Sequence, residues 1–175
     1  NKYDIEGSDK LIKGMTTFLG KTLTILLVVL VSFCLYRPKI NAPIVSKSSY
    51  PIEASNYILN NLDVKEIKLF NEYNYGSYLL YRGIPVFIDS RADLYAPEFN
   101  GTKGEDGKYH GRDIFSDYVN ITSISTYYDD KFNEYGITHV LIKKGSKLNM
   151  LIKRNDNYKE LYSDNNFVLY ERNAD

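Results

Sequence analysis

Apolar residues follow three patterns along the chain. From Phe18 to Tyr36 nearly every position is apolar, and Lys21 is the only charged residue. Beyond residue 50, apolar residues recur at helical spacing or in short runs, and Gly, Pro, Asn and Asp separate these stretches. The pattern therefore predicts one long apolar helix followed by a small domain of helices and strands.

The apolar run 18–36 has the length of one bilayer crossing, because a helix of nineteen residues covers roughly 28 Å. A buried core helix is one alternative, which is disfavoured because Ile25–Val31 is apolar on every face. A secretory signal peptide is another, but no small-residue cleavage site precedes Arg37. We expect residues 18–36 to be a transmembrane helix and residues 1–17 a membrane-proximal segment. The flanking basic residues are balanced, so charge alone does not predict the orientation.

The rest of the chain divides into a linker and a domain. Residues 37–50 contain prolines and serines without periodicity, which is typical of a linker, and residues 51–172 carry the regular pattern. Strands are expected at 66–70, 85–88 and 137–142 and in a C-terminal hairpin within 158–172, and residues 96–111 form a surface loop. Helices are expected from Pro51 to Asn61, Asn74 to Gly83, Asp113 through Val119, Thr126 to Gly136 and Ser146 through Ile152. The fold class is α/β: one N-terminal transmembrane helix, then a small α/β domain with a mixed sheet of about five strands and a C-terminal hairpin.

The candidate site follows from the first two predicted strands. With the helix between them they form a strand–helix–strand unit, in which the strands are expected to be parallel. Their carboxyl ends would then meet at one edge of the sheet, where open α/β sheets bind ligands. The side chains expected there are Asn71, Glu72, Tyr73, Tyr75, Asp89, Arg91 and Asp93.

The run Asp89, Arg91, Asp93 admits two interpretations. It is either a structural ion-pair cluster that fixes the edge of the sheet, or part of a ligand-binding surface. Acid–base catalysis is disfavoured, because a guanidinium between two carboxylates lowers the pKa of both and does not raise one. No catalytic residue is predicted, and the candidate substrate-binding residues are Asn71, Tyr73, Tyr75, Asp89, Arg91 and Asp93.

Composition excludes several other classes of function. Residues 41–175 hold sixteen basic and nineteen acidic side chains, so nucleic acid is not an expected partner. The single cysteine, Cys34, excludes an internal disulfide framework. His110 and His139 lack the spacing of metal ligands, and the glycine-rich stretch 101–111 matches neither a P-loop nor an EF-hand. We therefore expect neither a metal nor a cofactor.

An ordered set of segments is similar to one family of membrane proteins. The segments are LFNEYNYGSYLLY (69–81), PVFIDSRADLY (85–95), EYGITHVLI (134–142) and YKELYSDNNFVLYER (158–172). Together with the apolar helix they resemble the C-terminal region of polytopic bacterial GT-C-type glycosyltransferase-like proteins, also described as dolichyl-phosphate-mannose-mannosyltransferase-like. The most specific parts are Asn-x-Tyr-x-x-Gly-x-Tyr-Leu, starting at Asn71, and Asp-x-Arg-x-Asp-x-Tyr, starting at Asp89. Such proteins usually have Trp at the position of Tyr75 and Gly at that of Ser90.

The resemblance implies a location and a role. In such proteins, transfer from a polyprenyl-phosphate-linked sugar is assigned to acidic residues of an early loop that lies outside this sequence. Residues 51–172 would be a non-catalytic extracytoplasmic domain at the bacterial cell membrane, positioning a glycan or lipid-linked sugar. Residues 1–17 would then lie on the cytoplasmic side, as a membrane-proximal cytoplasmic loop. Its other partners would be the bilayer, through residues 18–36, and the remaining membrane helices of the parent protein. The alternative is a structural or protein-interaction domain of a membrane protein, with no ligand of its own.

Overall fold

The computed structural model describes residues 5–40 and 45–173, which belong to two separate compact units. Residues 1–4 of the predicted membrane-proximal segment and 41–44 of the predicted linker lie outside the described residues. Each unit has its own internal contacts and is described by itself.

The N-terminal unit consists of two helices. The first, α1, spans Ile5–Thr16, and the second, α2, spans Phe18–Ile40, so α2 continues four residues beyond the predicted end. Within the described residues, Phe18–Arg37 is the candidate membrane span, on the basis of length and apolar composition, and none of its most apolar stretch is buried. A signal sequence near an N-terminus meets the same criteria.

The second unit confirms the α/β class. Its helices are α3 (Ile52–Asn61), α4 (Tyr73–Tyr81), α5 (Pro97–Asn100), α6 (Ile114–Ser123), α7 (Tyr128–Tyr135) and α8 (Lys147–Ile152), with a 3₁₀ turn at Ala92–Tyr95. Its strands are β1 (Leu69–Asn71), β2 (Thr102–Lys103), β3 (Tyr109–His110), β4 (His139–Lys143), β5 (Tyr158–Ser163) and β6 (Phe167–Arg172). A mixed four-stranded sheet has the order β1-β4-β6-β5, in which β1 and β4 are parallel and the other pairs antiparallel. The predicted C-terminal hairpin is β5–β6.

Two predictions about strands were wrong. Residues Pro85–Ile88 do not form a strand, and the parallel partner of β1 is β4, so the predicted strand–helix–strand unit is absent from the described residues. The stretch 96–111 is not loop throughout, because it contains α5 and the small β2–β3 hairpin. The main sheet therefore has four strands, and the second sheet has two.

Several helices begin or end where the sequence predicts, because the residues that determine these ends are close together in the sequence. The Asp113 carboxylate accepts a hydrogen bond from the Ser116 amide at 2.9 Å, and the Ser146 hydroxyl accepts one from the Asn149 amide at 3.2 Å. Gly136 ends α7 with a left-handed φ of 64°. The Asp113 and Ser146 side chains thus bind backbone amides that a helix start otherwise leaves without partners.

Two predicted helix starts were wrong. Asn74 lies inside α4, which Glu72 precedes as the capping position. Thr126 does not cap α7, and its hydroxyl oxygen is buried without a hydrogen-bond partner. Asp129 follows Thr126 at the spacing of a capping box, but its carboxylate accepts hydrogen bonds from the Tyr158 hydroxyl and the Arg172 side chain instead. Long-range partners thus replaced the local capping arrangement.

Alternating side chains place a hydrophobic core on each face of the main sheet. One core contains Phe70 and Val140 and packs against α6, α7 and α8 through residues such as Phe132. The other contains Leu69 and Leu141, with residues of α3 and α4. The unit is therefore a three-layer arrangement with the sheet between two groups of helices.

Candidate functional site

The side chain of Asn71, at the end of β1, binds a neighbouring stretch of backbone. Its Nδ2 donates to the Ile88 carbonyl oxygen at 2.8 Å, and its Oδ1 accepts from the Phe87 amide at 2.8 Å. Asn71 is fully buried. This amide therefore gives Phe87 and Ile88 the hydrogen bonds that a strand partner would otherwise supply. We call Asn71 and the 87–88 backbone the Asn71 clamp.

Glu72 occupies the space between the carboxyl ends of β1 and β4. Its Oε1 accepts a hydrogen bond from the Lys143 amide at 3.1 Å, and burial raises the pKa of the carboxyl group. A side chain of the protein itself thus bridges the carboxyl ends of the two parallel strands.

Tyr75 lies in the core and not at the surface of the expected site. It is fully buried, its hydroxyl donates to the Leu141 carbonyl oxygen at 2.7 Å, and its ring packs edge-on against Phe167. Burial raises the pKa of its hydroxyl well above the usual range. The expectation that Tyr75 faces a ligand is therefore corrected: the side chain joins α4 to the sheet.

Gly76 allows α4 to lie directly against the backbone that follows the clamp. A Cβ at this position would lie 2.0 Å from the Ile88 carbonyl oxygen, far inside van der Waals contact. The close approach brings the Ser77 and Ser90 hydroxyl oxygens to 2.7 Å and lets the Tyr73 hydroxyl donate to the Ser90 carbonyl oxygen at 3.1 Å. The glycine of the sequence motif thus has a steric role.

Asp89 and Arg91 form a fork-shaped ion pair. The Arg91 Nε lies 3.0 and 3.1 Å from the two carboxylate oxygens, and Nη2 lies 2.5 Å from Oδ2. The Asp89 side chain is fully buried, whereas 56% of the Arg91 side chain is exposed. The hydrogen bonds from Arg91 hold the pKa of Asp89 below its usual value. The pair is therefore buried at its acidic end and open to solvent at its basic end.

Asp93 does not take part in that pair. It lies in the 3₁₀ turn, it is exposed, and within the described part of the chain its carboxylate makes neither a hydrogen bond nor an ion pair. The expected cluster of two carboxylates around Arg91 is thus corrected to one buried pair and one separate surface carboxylate.

Tyr73 completes the exposed part of the site. It is half-buried, its amide donates to the Tyr118 hydroxyl at 3.1 Å, and its ring meets Phe115 edge-on with centroids 5.9 Å apart. The sequence analysis gave no role in the site to Tyr118 and Ser90, which bind the amide and the hydroxyl of Tyr73. Tyr118 lies 45 residues and Ser90 17 residues from Tyr73 along the chain, so no local pattern connects them.

The six candidate residues thus belong to two groups. Asn71, Tyr75 and Asp89 are buried and bonded within the fold. Tyr73, Arg91 and Asp93 reach solvent, and we call them the exposed face. The structure brings Tyr73 and Arg91 to the same short segment, because one binds Ser90 and the other binds Asp89.

The two histidines have local partners. His110 lies 3.0 Å from the Asp106 carboxylate, and His139 Nδ1 lies 2.9 Å from the Thr138 hydroxyl. His139 Nε2 is buried without a partner, and burial lowers the pKa of the ring. Across residues 5–40 and 45–173, His, Cys, Asp and Glu side chains form no group of three or more suited to a metal ion.

Comparison of the chain with protein-family models, with curated proteins and with solved structures gave no match. Its function is therefore argued from the geometry of its own residues and from the resemblance in its sequence motifs.

Proposed function

We propose that this chain is a membrane-anchored, non-catalytic α/β domain of a glycosyltransferase-like membrane protein. Its exposed face, Tyr73, Arg91 and Asp93, contacts a glycan or a polyprenyl-phosphate-linked sugar outside the cytoplasmic membrane of a bacterium. The observation that carries this proposal is that one short segment, Asp89–Arg91, fixes both an aromatic side chain and a guanidinium at the surface.

The chemistry of the exposed face suits a phosphorylated sugar. An aromatic ring such as Tyr73 can stack on the apolar face of a sugar ring. Arg91 uses Nε and Nη2 to bind Asp89, which leaves the N–H groups of Nη1 outside that pair. A half-exposed guanidinium held in one orientation can donate to hydroxyl or phosphate oxygens at a lower entropy cost than a mobile one.

The acidic residues of the site support a binding role and not a catalytic one. Glu72 accepts the Lys143 amide and Asp89 is bound by Arg91, so both carboxylates are engaged within the fold. A carboxyl group whose pKa is lowered, as that of Asp89 is, does not hold a proton to donate near neutral pH. The exposed face is therefore proposed to position a sugar, while transfer takes place elsewhere in the parent protein.

Anchoring is proposed through α2, whose large apolar side chains are exposed from Phe18 to Tyr36. An apolar helix of this kind is stabilised when lipid replaces water around it. The remaining membrane helices of the parent protein would be further partners.

A structural or protein-interaction domain without a ligand is the second candidate. It is favoured by the full burial of Asn71, Tyr75 and Asp89, which are satisfied without any ligand. In that case the exposed face would tolerate substitution without loss of any binding to sugars.

Binding by the full chain in lipid nanodiscs distinguishes the two candidates. We expect a polyprenyl-phosphate-linked sugar to bind near the millimolar range, about −4 kcal/mol. Asp93→Ala and Tyr73→Ala should each weaken binding roughly two- to ten-fold, as for the loss of one or two hydrogen-bonding or stacking contacts. Tyr81→Ala is the matched control, because Tyr81 lies on the same helix and is 86% exposed. Equal binding by all variants, or no binding at saturating sugar, would favour the interaction domain.

Cysteine labelling in intact cells tests the proposed location. Ser48→Cys and Lys103→Cys place labels at exposed positions of the second unit, in a Cys34→Ser background that removes the native thiol. An impermeant maleimide should label both positions before lysis. Labelling only after lysis would place the domain in the cytoplasm and contradict the proposal.

A further inference from the structure

The two helices of the N-terminal unit are joined by a tightly bonded elbow at Thr17. The Thr17 hydroxyl donates to the Gly14 carbonyl oxygen at 2.7 Å and accepts from the Gly20 amide at 3.1 Å. A Cβ on Gly20 would lie 1.9 Å from that same carbonyl oxygen. Two glycines and one threonine thus fix the last turn of α1 against the first turn of α2.

Residues 9–16 of α1 form an apolar face and a polar face of mixed charge. At about 100° per residue, Leu11, Ile12 and Met15 share one side of the helix, and Asp9, Lys10 and Lys13 lie on the other. The three apolar side chains are 69%, 57% and 48% exposed. An apolar face of this kind requires a partner, because contact with water is unfavourable for it.

Residues of the apolar face of α1 and of the first turns of α2 line the same crevice. Inside the elbow is a crevice of about 610 Å³, whose lining includes Lys10, Leu11 and Met15 of α1 and Leu19 and Leu23 of α2. Leu19 and Leu23 are 68% and 58% exposed. Whatever surrounds the start of α2 therefore also contacts the apolar face of α1.

The charged residues near the elbow indicate which kind of partner surrounds it. Residues 5–21 carry three lysines, Lys10, Lys13 and Lys21, against two acids, Glu6 and Asp9, and the lysines are nearer to Thr17 in sequence than the acids are. Lysine stems can lie along apolar surface while their ammonium groups reach phosphate oxygens. Lysines on a polar face opposite an apolar face are typical of helices that lie in the interface of an anionic bilayer.

We propose that α1 is an interfacial helix, with lipid acyl chains in the elbow crevice and lipid phosphates bound by Lys10 and Lys13. This inference rests on the proposed anchoring of α2 in the membrane. With α2 crossing the bilayer, the elbow holds α1 at the level of the headgroups, so that Leu11 and Met15 face hydrocarbon. The occupant is the bilayer itself, and not another helix of the parent protein.

Depth-dependent quenching in nanodiscs tests the proposal on the full chain. A fluorescent maleimide is attached to single cysteines in a Cys34→Ser background. The labelled variants are Leu11→Cys on the apolar face of α1, Lys13→Cys on its polar face and Val28→Cys in the middle of α2. We expect nitroxide lipids to quench the label at position 11 several-fold more than aqueous iodide does, and iodide to dominate at position 13. Discs containing phosphatidylglycerol should give stronger lipid quenching at position 11 than discs of phosphatidylcholine alone.

The label at position 28 separates failure of this inference from failure of the anchoring. If lipid quenches position 28 while iodide reaches positions 11 and 13 equally, α2 is anchored but α1 is not interfacial. If neither quencher reaches position 11, protein covers the crevice and the proposal is overturned. If iodide quenches position 28, α2 does not span the bilayer, and both the anchoring and the interfacial helix are wrong.

Discussion

The side-chain amide of Asn71 takes the place of a β-ladder for the backbone of Ile88. Its Nδ2 donates to the Ile88 carbonyl oxygen, and its Oδ1 accepts from the preceding amide of Phe87. The segment that follows carries Asp89 and Arg91. The buried amide of Asn71 is therefore one of the contacts that position Arg91, together with those that Tyr73 and Ser77 make with Ser90.

Replacing Asn71 should show how much its two hydrogen bonds contribute to the stability of the fold. Asn71→Ala leaves the Phe87 amide and the Ile88 carbonyl without this partner, and we expect a loss of about 2–3 kcal/mol in the free energy of unfolding. Asn74→Ala, at an exposed position of α4, is the matched control and should change stability by about 0.5 kcal/mol or less. Urea unfolding followed by circular dichroism measures both. Equal losses for the two variants would show that water replaces the clamp.

Gly76→Ala tests the close approach of α4 to the Ile88 backbone. Helix propensity alone favours alanine by up to about 1 kcal/mol, but the overlap with the Ile88 carbonyl oxygen should reverse the sign and cost about 3 kcal/mol. Gly83→Ala is the control, because Gly83 has φ +78° and open space around it, so only backbone strain of about 1–2 kcal/mol is expected. Thermal unfolding of both variants gives the comparison. A Gly76→Ala protein as stable as the wild type would contradict the described packing.

Glu72 should make stability fall as the pH rises above the acid range. Its pKa is raised in the folded state, so the folded protein holds this proton more tightly than the unfolded chain does. Stability is therefore lost as the pH rises from the unfolded pKa, about 4.3, through the folded pKa. Glu72→Gln keeps an acceptor for the Lys143 amide and should be equal to or more stable than the wild type at pH 7.

Glu72→Ala is the companion variant, because it removes the acceptor as well as the charge. Relative to the wild type it should lose about 1–2 kcal/mol in acid and less as the pH rises, because the buried charge that it removes destabilises the wild type there. Denaturant unfolding from pH 3 to pH 8 separates the two effects. A Gln variant that loses as much stability as the Ala variant would show that the charge itself stabilises the edge.

Arg91→Ala should destabilise the protein at neutral pH, since it leaves the buried Asp89 carboxylate without its guanidinium. Because Arg91 lowers the pKa of Asp89, the stabilisation is present above the unfolded pKa of about 3.9 and is lost as the pH falls through the folded pKa. The melting temperatures of wild type and variant should therefore converge in acid. Asp93→Ala, at a carboxylate without a partner among the described residues, should change stability by about 0.5 kcal/mol or less at neutral pH. A constant difference at every pH would mean that Arg91 acts through packing.

The sequence predicted features that depend on neighbouring residues. The β5–β6 hairpin and the caps at Asp113 and Ser146 follow from turn and cap residues beside apolar patterns. The prediction of a strand at Pro85–Ile88 was wrong. A short apolar run has the same sequence pattern whether its backbone hydrogen bonds come from a neighbouring strand or from a side chain such as that of Asn71. No local signal distinguishes those cases.

Which of the candidate side chains face solvent could be predicted only in part. Tyr75 and Leu79 are four residues apart on α4 and both are fully buried, so helical spacing could have placed Tyr75 in the core. The separation of Asp93 from Arg91 could not have been foreseen, because it depends on the 3₁₀ turn that begins at Ala92. Sequence spacing indicated one region of the chain without showing which of its side chains are buried.

Residue-resolved NMR is the most direct test of the division between a buried clamp and an exposed sugar-binding face. The full chain in nanodiscs is titrated with a polyprenyl-phosphate-linked sugar, while the ring signals of Tyr73 and Tyr81 and the Nε–H signal of Arg91 are followed. We predict saturable shifts at Tyr73 and Arg91 in the millimolar range, and none at Tyr81. Shifts that spare Tyr73 and Arg91, or no shifts at saturating ligand, would contradict the proposed role of the exposed face.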